Sequence, residues 1–110
     1  MDYSVVKTEV GMLKALAELE TLKPKVQQLK AKDPHELCRC VDAEAMVLSA
    51  ELFYRSALVR KESRGFHFRE DFPKTDNANW LKWTVVRNVK GQMEVSTEDI
   101  PMEQYPYKPE

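Results

Sequence analysis

Within ten residues the chain sets carboxylates, a serine, a glycine, a histidine and two arginines, of which Glu62, Ser63, Arg64, Gly65, His67, Arg69 and Asp71 are the candidates. A carboxylate and an imidazole can move a proton between them, and an arginine fork can grip a carboxylate or a carbonyl of a neighbouring surface. Gly65 permits a sharp change of direction, and the run after it has the period of a strand. Phe66, Phe68 and Phe72 alternate with His67, Arg69 and Asp71, so the spacing predicts phenylalanines over the end of a core and His67 and Arg69 facing outward. Two roles follow for the polar row. It docks on a neighbouring domain, or Glu62, Arg64 and Asp71 pair with one another and hold the turn. Catalysis by this row is disfavoured against both.

His35, Cys38 and Cys40 form the other group that could do chemistry, as a small redox or metal protein would. His35 and Cys38 share a helix face, but Cys40 points elsewhere and zinc needs about four ligands, so no metal site is expected. Cysteines two apart on a helix diverge, which argues against a disulfide and for a reducing compartment. The aromatic residues Trp80, Trp83, Tyr105 and Tyr107, with the phenylalanines, could stack on bases, but stacking needs a basic groove beside it. Seventeen Lys and Arg stand against 18 Asp and Glu in 110 residues, a net charge of −1. Such a balance gathers neither phosphate backbones nor anionic lipids, so nucleic acid is not an expected partner. No apolar run approaches the roughly 20 residues that cross a bilayer, and the start, Met1 to Lys7, lacks the pattern of a signal peptide. The expected place is the cytoplasm, peripheral to the inner membrane if partner subunits carry the chain there, without direct insertion.

The elements that must position these residues are mostly helical. From about Val5 to Ala31, Met12, Leu16, Leu19, Val26 and Leu29 recur at helical spacing, with Leu13 and Leu22 widening the stripe. Pro24 predicts a kink or restart, with Thr21 as a local cap. Asp33-Pro34 predicts the start of a second helix of about 29 residues. Leu37, Val41, Ala45, Leu48, Leu52 and Val59 form one apolar face, and Met46, Ala50, Phe53 and Ala57 a second, as in the central helix of a bundle. Arg60, Lys61 and Arg64 suit its carbonyl end, and Gly65 its left-handed terminus. Asp76 to Asn79 predicts a turn. Trp80–Arg87 and Gln92–Thr97 predict a hairpin about Asn88-Val89-Lys90-Gly91, and the proline-rich stretch from Pro101 to Pro109 an extended tail. The expected architecture is mainly α: a spectrin-repeat-like helical bundle with its exit segment over 1–73, then a β-hairpin and tail of the same domain over 74–110.

The stretch Ala57-Leu58-Val59-Arg60-Lys61-Glu62-Ser63-Arg64-Gly65-Phe66-His67-Phe68-Arg69-Glu70-Asp71-Phe72-Pro73 resembles A-L-x-R-x-E-S-R-G-x-H-x-R-x-D-x-P in the C-terminal domain of the succinate dehydrogenase and fumarate reductase flavoproteins. That family also takes in L-aspartate oxidase and resembles the adenylylsulfate reductase flavoprotein. Asp76 to Thr84 is similar to its D-x-x-N-W-L-K-H-T, with Trp83 where the family has His. Val6-Lys7-Thr8-Glu9-Val10-Gly11-Met12 is similar to its V-R-T-E-x-G-L.

The resemblance implies a parent enzyme that moves electrons between FAD and a small dicarboxylate or similar substrate. It implies no catalytic or cofactor-binding residue in this segment, since the family's substrate-binding His and Arg residues and its Gly-rich FAD fingerprint lie in other domains. The expected function is a non-catalytic structural and docking domain. Its partners would be the flavin and capping domains or companion subunits, and the docking residues Glu62, Ser63, Arg64, Gly65, His67, Arg69 and Asp71. The rival from another class is a free-standing interaction or assembly protein derived from that domain. The family's bundle opens with an earlier helix, whose expected end falls at Met1. That predicts a truncated bundle, a piece of a longer protein, and either self-association through the groove left open or a loosely packed monomer.

Overall fold

A computed structural model describes residues 4–109. The order of elements is β1 (Val6–Lys7), α1 (Glu9–Gln27), α2 (Pro34–Val59), β2 (Phe68–Arg69), α3 (Asn77–Trp80), β3 (Lys82–Val89), β4 (Gln92–Asp99) and a 3-10 turn at Met102–Gln104. The mainly helical architecture with a C-terminal hairpin is as the periodicity predicts.

Helix α1 begins where Thr8 accepts a hydrogen bond from the Gly11 amide through Oγ1 at 3.0 Å. Met12, Ala15 and Leu19, three and four apart, are its buried face. Pro24 neither breaks nor restarts the helix, which runs on to Gln27. It lies one turn from the end, where a missing N–H leaves little further ladder to disrupt. Thr21 is no cap either; its hydroxyl donates to the Glu18 carbonyl at 2.6 Å, within the helix.

Helix α2 starts as expected, with Asp33 Oδ1 accepting from the Glu36 amide at 2.8 Å and Pro34 in the first turn. It has 26 residues rather than about 29, and no basic residue in its last turn. Gly65 therefore does not end the helix. Its φ of +57° serves a later tight turn, in which the Arg64 and His67 amides each donate to the other's carbonyl. The helices run antiparallel, since Lys23 meets Glu51 at 2.8 Å and Glu20 meets Arg55 at 3.8 Å. The two ion pairs follow that order along both helices.

Helix α2 is not surrounded in the way its two apolar faces suggest. Helix α1 covers one stripe and the hairpin touches part of another, while Leu37, Val41, Met46, Leu48 and Phe53 stay exposed. The two-residue strands β1 and β2 pair in parallel, Val6 with Phe68 and Lys7 with Arg69, bringing the start of the chain beside the exit from α2. Strands β3 and β4 pair in register from Lys82–Asp99 to Val89–Gln92, so the return strand reaches two residues past Thr97. Lys90 and Gly91, both at positive φ, make the two-residue hairpin loop. The Asp76–Asn79 stretch enters one helical turn rather than an open turn, with Asp76 accepting from the Asn79 amide at 3.1 Å.

Candidate functional site

The polar row after α2 folds inward. Arg69 and Glu62 are both at 0% exposure and Ser63 is buried, while Phe66 is fully exposed and Phe68 and Phe72 are partly so. The expected sidedness is reversed. The reason is the demand of the two helix ends: unpaired carbonyls at the end of α2 and unpaired amides at the start of α1 need charged partners more than the core needs three more rings.

Arg69 answers the first demand. Its Nη1 donates to the carbonyls of Leu58 at 2.9 Å, Arg60 at 3.1 Å and Ala57 at 3.4 Å. A cation against the carbonyl end of a helix also meets the negative end of the helix dipole. Asp71 answers the second. Its Oδ2 accepts from the Glu9 amide, the first of α1, at 3.1 Å. The two side chains bind each other as well, and the Arg69 hydrogen bond is the main reason that the Asp71 carboxyl titrates below its usual range.

Glu62 is the hub of the other half. Its carboxylate accepts from Arg60, from Arg64 Nε at 2.9 Å and from the Asp76 amide at 2.8 Å. Burial alone would raise its carboxyl, but these donors outweigh burial and hold it below the usual range. Arg60 reaches on to the carbonyls of Trp80 and Lys82, and Arg64 Nη2 to Asn77 Oδ1 at 2.6 Å. The hairpin is thereby tied to the helix ends. Ser63 Oγ accepts from the Arg69 amide at 2.9 Å and donates to the Phe72 carbonyl at 2.7 Å. The Ser63 carbonyl in turn accepts from Thr75 Oγ1 at 2.7 Å. His67 is half-buried, with Nε2 3.2 Å from the Arg60 carbonyl, a contact that needs the proton on Nε2. Burial lowers its pKa; the hydrogen bond to the Arg60 carbonyl opposes this, and the nearby cations Lys7, Arg69 and Arg60 add to the lowering.

Of the residues singled out in the sequence, Glu62, Ser63, Arg64, His67, Arg69 and Asp71 meet in one junction, and Gly65 shapes the turn that lets them. The expected mutual pairing of Glu62, Arg64 and Asp71 is only half present: Glu62 takes Arg64, but Asp71 takes Arg69. Arg60, Thr75 and Asp76 belong to the junction too. The signal for Arg60 was its place in the same ordered stretch, two before Glu62. Its link to the Trp80 and Lys82 carbonyls, 20 and 22 residues away, has no local pattern.

The junction offers no cradle for a dinucleotide. The first amides of α1 are bound by Thr8 and Asp71 and the Glu36 amide of α2 by Asp33, so neither long helix presents the free positive end that a pyrophosphate requires. Gly11, Gly65 and Gly91 lie in a helix, the exit turn and the hairpin loop, so no glycine-rich loop precedes either helix. The residues present do not fit FAD. Cys38 and Cys40 are free thiols, and among the described residues no three His, Cys, Asp or Glu side chains gather as a metal site.

Two antiparallel helices are thus tied at one end by a charged turn, with a hairpin braced against it, which makes the chain a small helical module with a C-terminal hairpin. The chain belongs to the family described as fumarate reductase flavoprotein C-term, whose model matches residues 1–110. It is 40% identical over 90 residues to an uncharacterised FAD-dependent oxidoreductase of Methanocaldococcus jannaschii, a match spanning 81% of this chain and 16% of that one. It is 36% identical over 89 residues to the succinate dehydrogenase flavoprotein subunit of Coxiella burnetii, spanning 76% and 15%. Among solved structures, quinol fumarate reductase of E. coli superposes with a TM-score of 0.80 at 26% identity, over 93% of this chain and 19% of that one. The chain thus spans less than a fifth of the length of each of these three proteins.

Proposed function

We propose that this chain is the non-catalytic structural and docking domain of an FAD-dependent oxidoreductase of the succinate dehydrogenase and fumarate reductase flavoprotein type. Its partners are the flavin and capping domains of that enzyme or companion subunits, and FAD is held there rather than here. The observation that carries the reading is the division of labour in the exit turn. The charged groups are occupied within the junction, and the rings between them point out. Phe66, on a turn closed by two backbone hydrogen bonds, is a rigid aromatic anchor of the kind that dominates interfaces. Phe68 and its strand partner Val6 extend the apolar face. Docking thus rests on the rings beside the seven predicted residues, and those seven hold the rings in place. No helix among the described residues is long and apolar enough to cross a membrane, which suits a peripheral position on the cytoplasmic side.

The test is capture of a separately produced flavin-and-capping portion of a fumarate reductase type enzyme by this chain. Capture is expected with the natural sequence and is expected to fall at least tenfold with Phe66→Glu. Flavin bound by the chain alone, or fumarate reduced by it alone, would overturn the reading.

A further inference from the structure

We infer that Arg64 is a divided residue: one edge of its guanidinium belongs to the junction, and the other, beside Phe66, is a preset contact for a carboxylate on the flavin-and-capping portion of the enzyme. The inference rests on the docking reading and adds to the rings a polar group that the partner supplies.

The junction uses its three guanidiniums to different extents. Arg69 is at 0% exposure, and its Nε, Nη1 and Nη2 all donate inside the junction. Arg60 keeps 15% of its side chain exposed and turns both terminal nitrogens to Glu62 and to the Trp80 and Lys82 carbonyls. Arg64 keeps 35%. Its Nε donates to Glu62 Oε1 at 2.9 Å, and its Nη2 to Glu62 Oε2 at 3.2 Å and to Asn77 Oδ1 at 2.6 Å. Its Nη1 has no acceptor among the described residues, and it is not buried. The N–H groups of that nitrogen therefore face outward on a charged, planar fork.

Holding one edge prepares the other. An unrestrained arginine loses rotamer freedom when it binds, whereas Arg64 has already lost it to Glu62 and Asn77. The turn from Arg64 to His67, closed by two backbone hydrogen bonds, sets Arg64 and fully exposed Phe66 on one short rigid segment. Arginine and large aromatic side chains are the residues that concentrate binding energy at an interface, and here the two stand together.

Charge decides the chemistry of the contact. Five cations lie between Arg60 and Asp76: Arg60, Lys61, Arg64, Arg69 and Lys74. Four carboxylates stand against them, Glu62, Glu70, Asp71 and Asp76, so the stretch has an excess of one positive charge. The start of the chain brings Lys7 and Glu9 alongside, one of each sign, and leaves that excess unchanged. Glu62 is shared between Arg60 and Arg64, Asp71 is held by Arg69 and the Glu9 amide, and Asp76 accepts from Asn79. A carboxylate from the partner cancels the excess and takes the outward N–H groups as a charge-assisted hydrogen bond. A carbonyl would accept the same bond but leave the charge uncompensated as the interface excludes water.

Capture of a separately produced flavin-and-capping portion by the full chain tests this, with each variant first shown to be folded by far-UV circular dichroism. Arg64→Lys keeps the charge but cannot hold Glu62 on one edge and a carboxylate on the other, and is expected to weaken capture at least tenfold. Ser63→Ala loosens the same junction while keeping Arg64 and Phe66, and is expected to leave capture unchanged. Capture by the natural chain is expected to weaken as salt is raised, since the contact is between opposite charges. Arg64→Lys captured as well as the natural chain, Ser63→Ala losing as much as Arg64→Lys, or capture indifferent to salt would each overturn the inference and leave docking through Phe66 standing. A natural chain that captures nothing would overturn the docking reading and this inference with it.

Discussion

Arg69 and Asp71 form a two-pronged pair, Nε to Oδ1 at 3.0 Å and Nη2 to Oδ2 at 2.7 Å, and each partner also binds the end of a different helix. Arg69 holds the last carbonyls of α2, and Asp71 holds the first amide of α1. The pair therefore joins a negative dipole end to a positive one through two side chains of opposite charge. Its geometry makes four connections depend on one guanidinium.

Replacing that guanidinium should be costly. Arg69→Ala leaves Asp71 without its partner and the buried α2 carbonyls without donors. Asp71, with its side chain 28% exposed, keeps some water, so the main loss is that of the carbonyls left without a donor, about 1–3 kcal/mol for an unsatisfied buried group. Arg69→Lys keeps the charge but not the fork, and should recover only part of the loss. Urea unfolding midpoints measure both, and an Arg69→Ala protein as stable as the natural one would refute the assigned role.

How this pair escaped a reading of the chain is instructive. Helix starts were legible because they are local: Asp33-Pro34 contains its own cap, and the hairpin has a loop that suits positive φ. The alternation from Phe66 to Phe72 was equally visible, but an alternating pattern does not say which side faces in. Ring hydrophobicity argued for the phenylalanines. The unpaired carbonyls at the end of α2 decided for Arg69, and the Glu9 amide at the start of α1, 62 residues from Asp71, decided for its partner. The length of α2 was overestimated for a related reason. Arg60, Lys61 and Arg64 suit a helix end, but Arg60 and Arg64 bind Glu62, which they can reach only from an extended chain.

Acid should loosen the junction in a definite window. Glu62 and Asp71 titrate lower in the folded chain than in the unfolded one, whose carboxyls lie near about 4.3 and 3.9. As pH falls below those values the unfolded state binds protons first, so the stability they provide is present above them and is lost on the way down to the folded values. Thermal midpoints are expected to be level near neutrality and to drop below about pH 4.5. Glu62→Gln should lower the neutral midpoint and flatten the acid limb. An acid limb unchanged in that variant would show that Glu62 is not a source of it.

His67 sets a second, higher window. Its folded pKa is lowered mainly by burial, so the unfolded chain takes up the proton first as pH drops through about 6.5. Its contribution is complete above that pH and declines toward the folded value. His67→Gln, which can still donate toward the Arg60 carbonyl, should remove the slope that begins as pH falls below about 6.5 without removing the acid limb. NMR titration of the imidazole reads the same shift directly, and a folded pKa at or above 6.5 would contradict it.

Ser63 is small, but its hydroxyl accepts one hydrogen bond and donates another inside the junction. Ser63→Ala leaves the amide of fully buried Arg69 without an acceptor, and an unsatisfied buried group costs about 1–3 kcal/mol. The loss should appear in the unfolding midpoint with little change in helicity, because neither long helix contains Ser63. A cost near zero would mean that water replaces the hydroxyl.

Gly65 separates two reasons for needing glycine. A Cβ there would meet nothing within 4 Å, so space is not the constraint. The constraint is φ of +57°, which L-residues adopt at a cost of about 1–2 kcal/mol. Gly65→Ala is expected to lose about that much, and Gly65→Asn less, since asparagine tolerates the left-handed region. Were the glycine ending α2, substitution would also shorten or fray the helix. Because α2 ends at Val59, the alanine variant should unfold earlier with its helical signal intact, and a fall in helicity before the main transition would place the glycine back at the helix terminus.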